Sequence, residues 1–222
     1  MSDADEYEAF VDPRDLLLRT DWNAVEHCCP DVAPATPVLL LELLDEDPAV
    51  QGMAFRSLVE AHTRQQVFYT ATAPAARFVA AALGDPRTLA RVTDRCAQEE
   101  VDLGPQAPFP LRAGLLSWLG DSVVEALAQR ERPYGDEEDL EAFLYLVPEF
   151  CAAARPFLDA GQPEVREAAL GLLLAVLRLP ALAELIPGHR DRVVAAALVE
   201  GPYRWRAVDT LASWGEEVSS LL

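Results

Sequence analysis

The sequence contains no lysine, so all 18 of its cations are arginine, and they face 37 aspartates and glutamates for a formal charge of 18 − 37 = −19. Isoleucine occurs once, at Ile186, which together with the missing lysine reflects a GC-rich coding bias and carries no mechanism. With so few cations and no gathering of them on one face, the chain would repel a phosphate backbone, and nucleic acid is not expected as a ligand. The four cysteines, Cys28, Cys29, Cys96 and Cys151, show no C-x-x-C spacing. The acidic start Met1-Ser2-Asp3-Ala4-Asp5-Glu6 has neither the basic opening nor the apolar run of a secretion signal, so a reducing cytoplasm is expected. Apolar runs such as 168–177 are short and flanked by Arg166 and Arg178, which excludes a bilayer span there. Nucleophile elbows, phosphate loops, dinucleotide fingerprints and His-Glu-x-x-His are absent, and no cofactor or catalytic residue is predicted.

What the chain does contain is apolar periodicity. Of its 222 residues 51% are hydrophobic, too many for a disordered chain even at this charge. Helical spacing recurs in Val38-Leu39-Leu41-Leu44, Phe78-Val79-Ala82-Leu83, Leu115-Leu116-Leu119 and Leu170-Leu173-Leu174-Leu177. Alternating strands bounded by Asn-Gly or Asp-Gly turns are missing, and Ala plus Leu make up roughly a third of the chain, so an all-α fold is predicted.

The helices also repeat. Pro48, Pro86, Pro163 and Pro202 follow helix-ending turns at intervals of 38, 77 and 39 residues. This fits a period near 38–40 with one copy, between Pro86 and Pro163, that has lost its proline. Proline in the first turn of a helix forfeits no hydrogen bond, and an aspartate just before it can accept the orphan amides, so each such turn should end one helix and open its partner. One pair cannot cover its own apolar stripe, and neighbouring pairs are expected to stack into a right-handed α-solenoid of about five antiparallel helix pairs, in a single domain over 1–222 with a poorly ordered acidic start at 1–15. Regularity weakens between 98 and 141, where Pro105, Pro108 and Pro110 mark a connector. There 111–118 and 123–129 read as a short helix pair and 132–139 as an acidic loop.

Gln162-Pro163-Glu164-Val165-Arg166-Glu167-Ala168-Ala169 resembles the x-Pro-x-Val-Arg-x-x-Ala turn of HEAT and HEAT-like (phycobilisome-lyase type) repeats. The resemblance implies that Val165 and Ala169 pack between helices and that Arg166 joins a ladder with acidic groups of the next repeat. Arg206 matches that arginine in the last copy, with Trp205 in place of the valine, whereas the first copy carries Gln51 instead. Asp21-Trp22, Pro37-Val38-Leu39 and the segment Arg64-Gln65-Gln66-Val67-Phe68-Tyr69-Thr70-Ala71-Thr72 are similar to a bacterial HEAT-like group, with Gln66 where that group has glycine. The likeness covers about 20–215 and implies binding of other proteins.

Two segments stand out as partner-binding candidates. Gln65, Gln66 and Tyr69 form a polar, aromatic patch where a second helix should finish; the competing reading is that they close the helix end by bonding loop carbonyls. Asp136, Glu137, Glu138 and Asp139 are the densest of several acidic clusters, which either keep an apolar array soluble or steer it towards a basic partner. The summed charge exceeds the roughly 2 to 8 that solubility of a small domain asks for. His27-Cys28-Cys29 cannot close a tetrahedral site from one helix, and with His62 and His189 isolated no metal is expected. Trp22, Trp118, Trp205 and Trp214 lie mostly within apolar helical faces and are expected in the core.

The expected function is therefore a cytoplasmic, non-enzymatic protein-binding repeat protein of the immunity type, masking a basic effector such as a nuclease toxin across a concave helix row and an acidic edge. The alternatives are a plain assembly scaffold and a HEAT-like DNA glycosylase, the latter needing a basic face for which Arg87, Arg91 and Arg95 are the candidate stripe.

Overall fold

A computed structural model describes residues 12–27, 30–63, 67–93, 107–132, 135–219 and 221, apart from the side chains of Val32, His62 and Thr63. The fold is all-α. Its helices are α1 (Pro13–Arg19), α2 (Thr36–Glu42), α3 (Pro48–Thr63), α4 (Thr72–Ala82), α5 (Leu111–Glu131), α6 (Glu137–Tyr145), α7 (Val147–Ala154), α8 (Pro163–Val176), α9 (Ile186–Leu198) and α10 (Arg204–Ser213). The one sheet among the described residues is a two-residue antiparallel ribbon of β1 (Arg91–Val92) and β2 (Phe109–Pro110), in the register Arg91↔Pro110. Among the described residues no helix is long and apolar enough to cross a membrane.

Aspartate followed by proline opens several elements as the sequence predicts. Asp12 caps Arg14 N at 2.9 Å ahead of Pro13, Asp47 caps Ala49 N at 2.8 Å ahead of Pro48, and Asp85 caps Arg87 N at 2.9 Å ahead of Pro86. Each carboxylate satisfies one amide that the first turn leaves without an intrahelical partner. At Pro86, however, the element that starts is a 3₁₀ turn, Pro86–Leu89, and not a second helix. The partner of α4 begins only at Leu111, beyond the ribbon.

The described part of the long interval between Pro86 and Pro163 therefore holds the ribbon, a long α5, α6 and α7. Helices in contact include α2 with α3, α4 with α5, α7 with α8 and α9 with α10, and α4 also touches α1, α6 and α7. The predicted helix pair at 111–118 and 123–129 is one 21-residue helix. Nothing at Leu119-Gly120-Asp121-Ser122 breaks it: Ser122 Oγ donates back to the Trp118 carbonyl at 2.8 Å, and Gly120 sits where the α8 backbone comes close. The predicted acidic loop at 132–139 is helical from Glu137 onward, because Asp136 caps Glu138 N at 2.8 Å and the acidic first turn suits the positive end of the helix dipole.

A single hydrophobic cluster runs from Leu17 to Leu211, with Phe78, Leu115, Leu119, Phe143, Phe150 and Leu172 fully enclosed. Each such side chain stabilises the fold by about 1.5–3 kcal/mol relative to exposure. Trp22 and Trp118 belong to it, Trp214 is half-buried, and Trp205 is 56% exposed, contrary to its expected core place. Within it α3 touches α5, α5 touches α8 most extensively, and α8 touches α10. Glycines set the spacing of these helices. A Cβ added at Gly120 would lie 3.1 Å from Leu172 Cα, and one added at Gly171 would lie 2.5 Å from the Tyr203 ring.

Side chains from one pair also complete the helix ends of another. Gln51, fully buried, donates to the Leu43 and Arg87 carbonyls at 3.2 and 3.1 Å. Arg87 donates to the Leu44 carbonyl at 2.8 Å, Thr210 to that of Leu174 at 2.9 Å, and the Trp214 indole to that of Leu177 at 2.9 Å. The carbonyls of Leu43, Leu44, Leu174 and Leu177 lie at the ends of α2 and α8, where intrahelical donors run out, and that of Arg87 lies in the 3₁₀ turn.

Candidate functional site

Residues next to Tyr69 meet the segment that follows Gly135. Phe68, at the start of α4's approach, stacks on Phe143 of α6 with ring centroids 4.7 Å apart, and Phe143 lies 5.4 Å from Phe150. Gly135, at φ +78, turns the chain just before α6; its left-handed conformation suits glycine, and a Cβ there would lie 2.9 Å from Val67. The stretch 67–70 is tied in turn to the segment after Trp22, with Glu26 N donating to Thr70 Oγ1 at 2.6 Å and Ala71 N to the Glu26 carbonyl at 3.1 Å. The chain on either side of Tyr69 is thereby tied to the segments that carry an acidic corner of Glu26, Asp136, Glu137, Glu138 and Asp139. The Tyr69 amide donates to Thr72 Oγ1 at 3.0 Å and its carbonyl accepts from Thr72 N at 2.8 Å, which closes the start of α4. Gln65 and Gln66 lie outside the described residues.

The corner's four consecutive carboxylates are not equivalent. Asp136, Glu137 and Glu138 are exposed, and Asp139 is buried. Burial raises the Asp139 carboxyl above the ordinary range, and the charges of Asp136, Glu26 and Glu138 push it the same way. Among the described residues none of the four pairs with an arginine.

A second feature escaped the sequence. An open groove of about 410 Å³ runs along α3, α5, α8 and the turn before α10, floored by Phe55, Phe109, Trp118 and Tyr203 and rimmed by Asp121, Glu164 and Glu167. Phe55 and Phe109 meet edge to face at 5.6 Å, and Gly114 lies against both rings, where a Cβ would clash at 2.8 Å. No arginine lines the groove, but two support it from behind. Arg206 pairs with Asp121 at 2.6 Å and lies 5.1 Å from the centre of the Tyr203 ring. Arg91 reaches Glu164 at 3.1 Å and also the Pro108 carbonyl. The Glu164 carboxyl is held below its usual range by its own backbone amide and by Arg91. These residues are scattered over four helices with no shared spacing, so only the helix arrangement reveals them.

The arginine ladder implied by the repeat resemblance is partial. Arg166 bonds the Ala160 carbonyl at 2.7 Å and no acid, while Arg206 spans from the Gly171 carbonyl at 3.2 Å to Asp121. Buried positions also correct the register of the last copy: Ala168 and Ala169 correspond to Ala207 and Val208, an offset of 39 residues. Trp205 then stands opposite the exposed Arg166, and Arg204, its guanidinium 4.7 Å from the Trp205 ring, takes the place of buried Val165.

The other candidates separate. Arg87 is clamped to Asp85 at 2.6 Å and Arg91 belongs to β1, so these two do not share a helical face; Arg95 is outside the described residues. Cys151 is buried, which raises its thiol pKa, while Cys28, Cys29 and Cys96 lie outside the described residues. Among the described residues no three His, Cys, Asp or Glu side chains gather as a metal site would require. No family model, curated protein or solved structure matches the chain.

Proposed function

We propose that the protein is a non-enzymatic α-solenoid of HEAT-like pairs that binds and masks a basic protein partner, in the manner of a cytoplasmic immunity protein. The contacts of α3 with α5, α5 with α8 and α8 with α10, each helix also touching its own neighbour from α2, α4, α7 and α9, support the stacked-pair reading. The disposition of charge carries the binding. Arg87, Arg112, Arg192 and Arg206 are turned onto internal carbonyls, whereas Asp136, Glu137, Glu138 and Glu167 face solvent without an arginine. A net charge of −19, with exposed carboxylates at the corner and at Glu167 that lack an arginine among the described residues, gives a negative outward field, which favours encounter with a positive surface.

The pairing of Arg87 with Asp85 and of Arg91 with Glu164, on different elements, argues against a nucleic-acid enzyme on this scaffold. The test is a pull-down from native lysate with the full chain as bait. One basic protein should be recovered, and its association rate should fall about tenfold between low and physiological salt. Recovery of an acidic protein, or of nucleic acid retained after nuclease-free washing, overturns the proposal.

A further inference from the structure

We infer that the groove over α3, α5, α8 and α10 is an arginine-reading site, which takes a guanidinium from the partner between its aromatic floor and Glu167. The inference rests on the basic-partner reading and adds the residue type and the place. Three observations carry it.

The first is composition. A groove of about 410 Å³ lined by half-exposed Phe109 and Tyr203, with Phe55 and Trp118 buried beneath them, and by three carboxylates offers aromatic surface and negative charge together. Apolar guests do not need the carboxylates, and small hydrated cations do not need the rings. A planar, weakly hydrated guanidinium uses both.

The second is which carboxylate is unspent. Asp121 is paired with Arg206 and Glu164 with Arg91, but exposed Glu167 has no ion pair among the described residues. The third lies beside the groove. Arg206 is held between the Tyr203 ring, at 5.1 Å, and the Asp121 carboxylate, at 2.6 Å. The protein thus already holds one of its own arginines between a ring and a carboxylate, and the groove's lining offers the same two residue types again in Phe109 and Glu167.

The test uses the full chain and fluorescein-labelled nona-arginine and nona-lysine peptides, followed by anisotropy at low salt. Nona-arginine should bind about fivefold more tightly than nona-lysine, because a lysine ammonium neither stacks nor forks. That preference should vanish in Glu167→Gln, an exposed change that leaves the fold intact by circular dichroism, and shrink in Phe109→Ala. Equal affinity for the two peptides, or a preference that Glu167→Gln leaves unchanged, overturns the groove assignment. If both peptides bind equally and lose affinity only in the double variant Glu137→Gln/Glu138→Gln, the groove fails and the basic-partner reading stands. Absence of binding by either peptide overturns both.

Discussion

The acidic corner and the groove use the same residue types in opposite ways. At the corner, three carboxylates point to solvent with no arginine against them, and a fourth, Asp139, is drawn under the surface; the rings that could have faced outward, Phe68 and Phe143, are buried beneath as a foundation. In the groove Phe109 and Tyr203 stay half-exposed above the buried Phe55 and Trp118, and two of three carboxylates are paired with Arg206 and Arg91. Unscreened exposed charge acts at range and decays within a Debye length of about 8–10 Å, while rings with a single unspent carboxylate act only on contact. Attraction and recognition are thus physically separable on this molecule. Salt should weaken the first far more than the second.

Substitutions can break that contrast from either side. The largest effect is expected from Phe143→Ala, which empties the space between Phe68 and Phe150 and should cost about 3–5 kcal/mol in urea denaturation. It would loosen α6 and with it the corner. Gly171→Ala should cost about 1–3 kcal/mol by forcing the Tyr203 ring away, and should weaken nona-arginine binding while leaving α6 untouched. Arg206→Gln removes the bond to Gly171 and the pairing with Asp121; about 1 kcal/mol of stability should be lost, with the Asp121 carboxylate set free to attract a second cation.

The smallest effect has the opposite sign. Since burial raises the Asp139 carboxyl in the folded state, the folded protein holds its proton more tightly than the unfolded chain, and wild-type stability falls as pH rises from about 4 through the elevated folded value. Asp139→Asn should lack that decline and gain up to about 1 kcal/mol at pH 7, as read from thermal melts across pH 4 to 8.

Much of the fold was legible in residues whose effects are local. Proline after aspartate marks the start at Pro48 because capping depends on two or three neighbouring residues, and the same signal at Pro13 opens α1 inside the stretch 1–15 expected to be poorly ordered. At Pro86 the same signal misleads, since a capped first turn does not decide whether a helix continues. The continuity of α5 was hidden by Gly120, which reads as a breaker and is in fact the contact point for Leu172. Asp136 and Asp139 read as loop acids although their spacing suits a cap and the third helical position. The corner was found from composition alone, while its junction with Tyr69 depends on Phe68 meeting Phe143, 75 residues apart. The groove was invisible for the same reason: Phe55, Trp118, Glu167 and Tyr203 become neighbours only through helix packing.

The two-residue ribbon has a practical corollary. Because Arg91 and Val92 are laddered to Pro110 and Phe109, the chain positions on either side of 93–108 lie next to each other. Closing a loop twice as long costs only about 0.6 kcal/mol more. A fluorescent reporter spliced between positions 93 and 107 would be carried as a side branch, and would let partner capture be watched without altering either terminus.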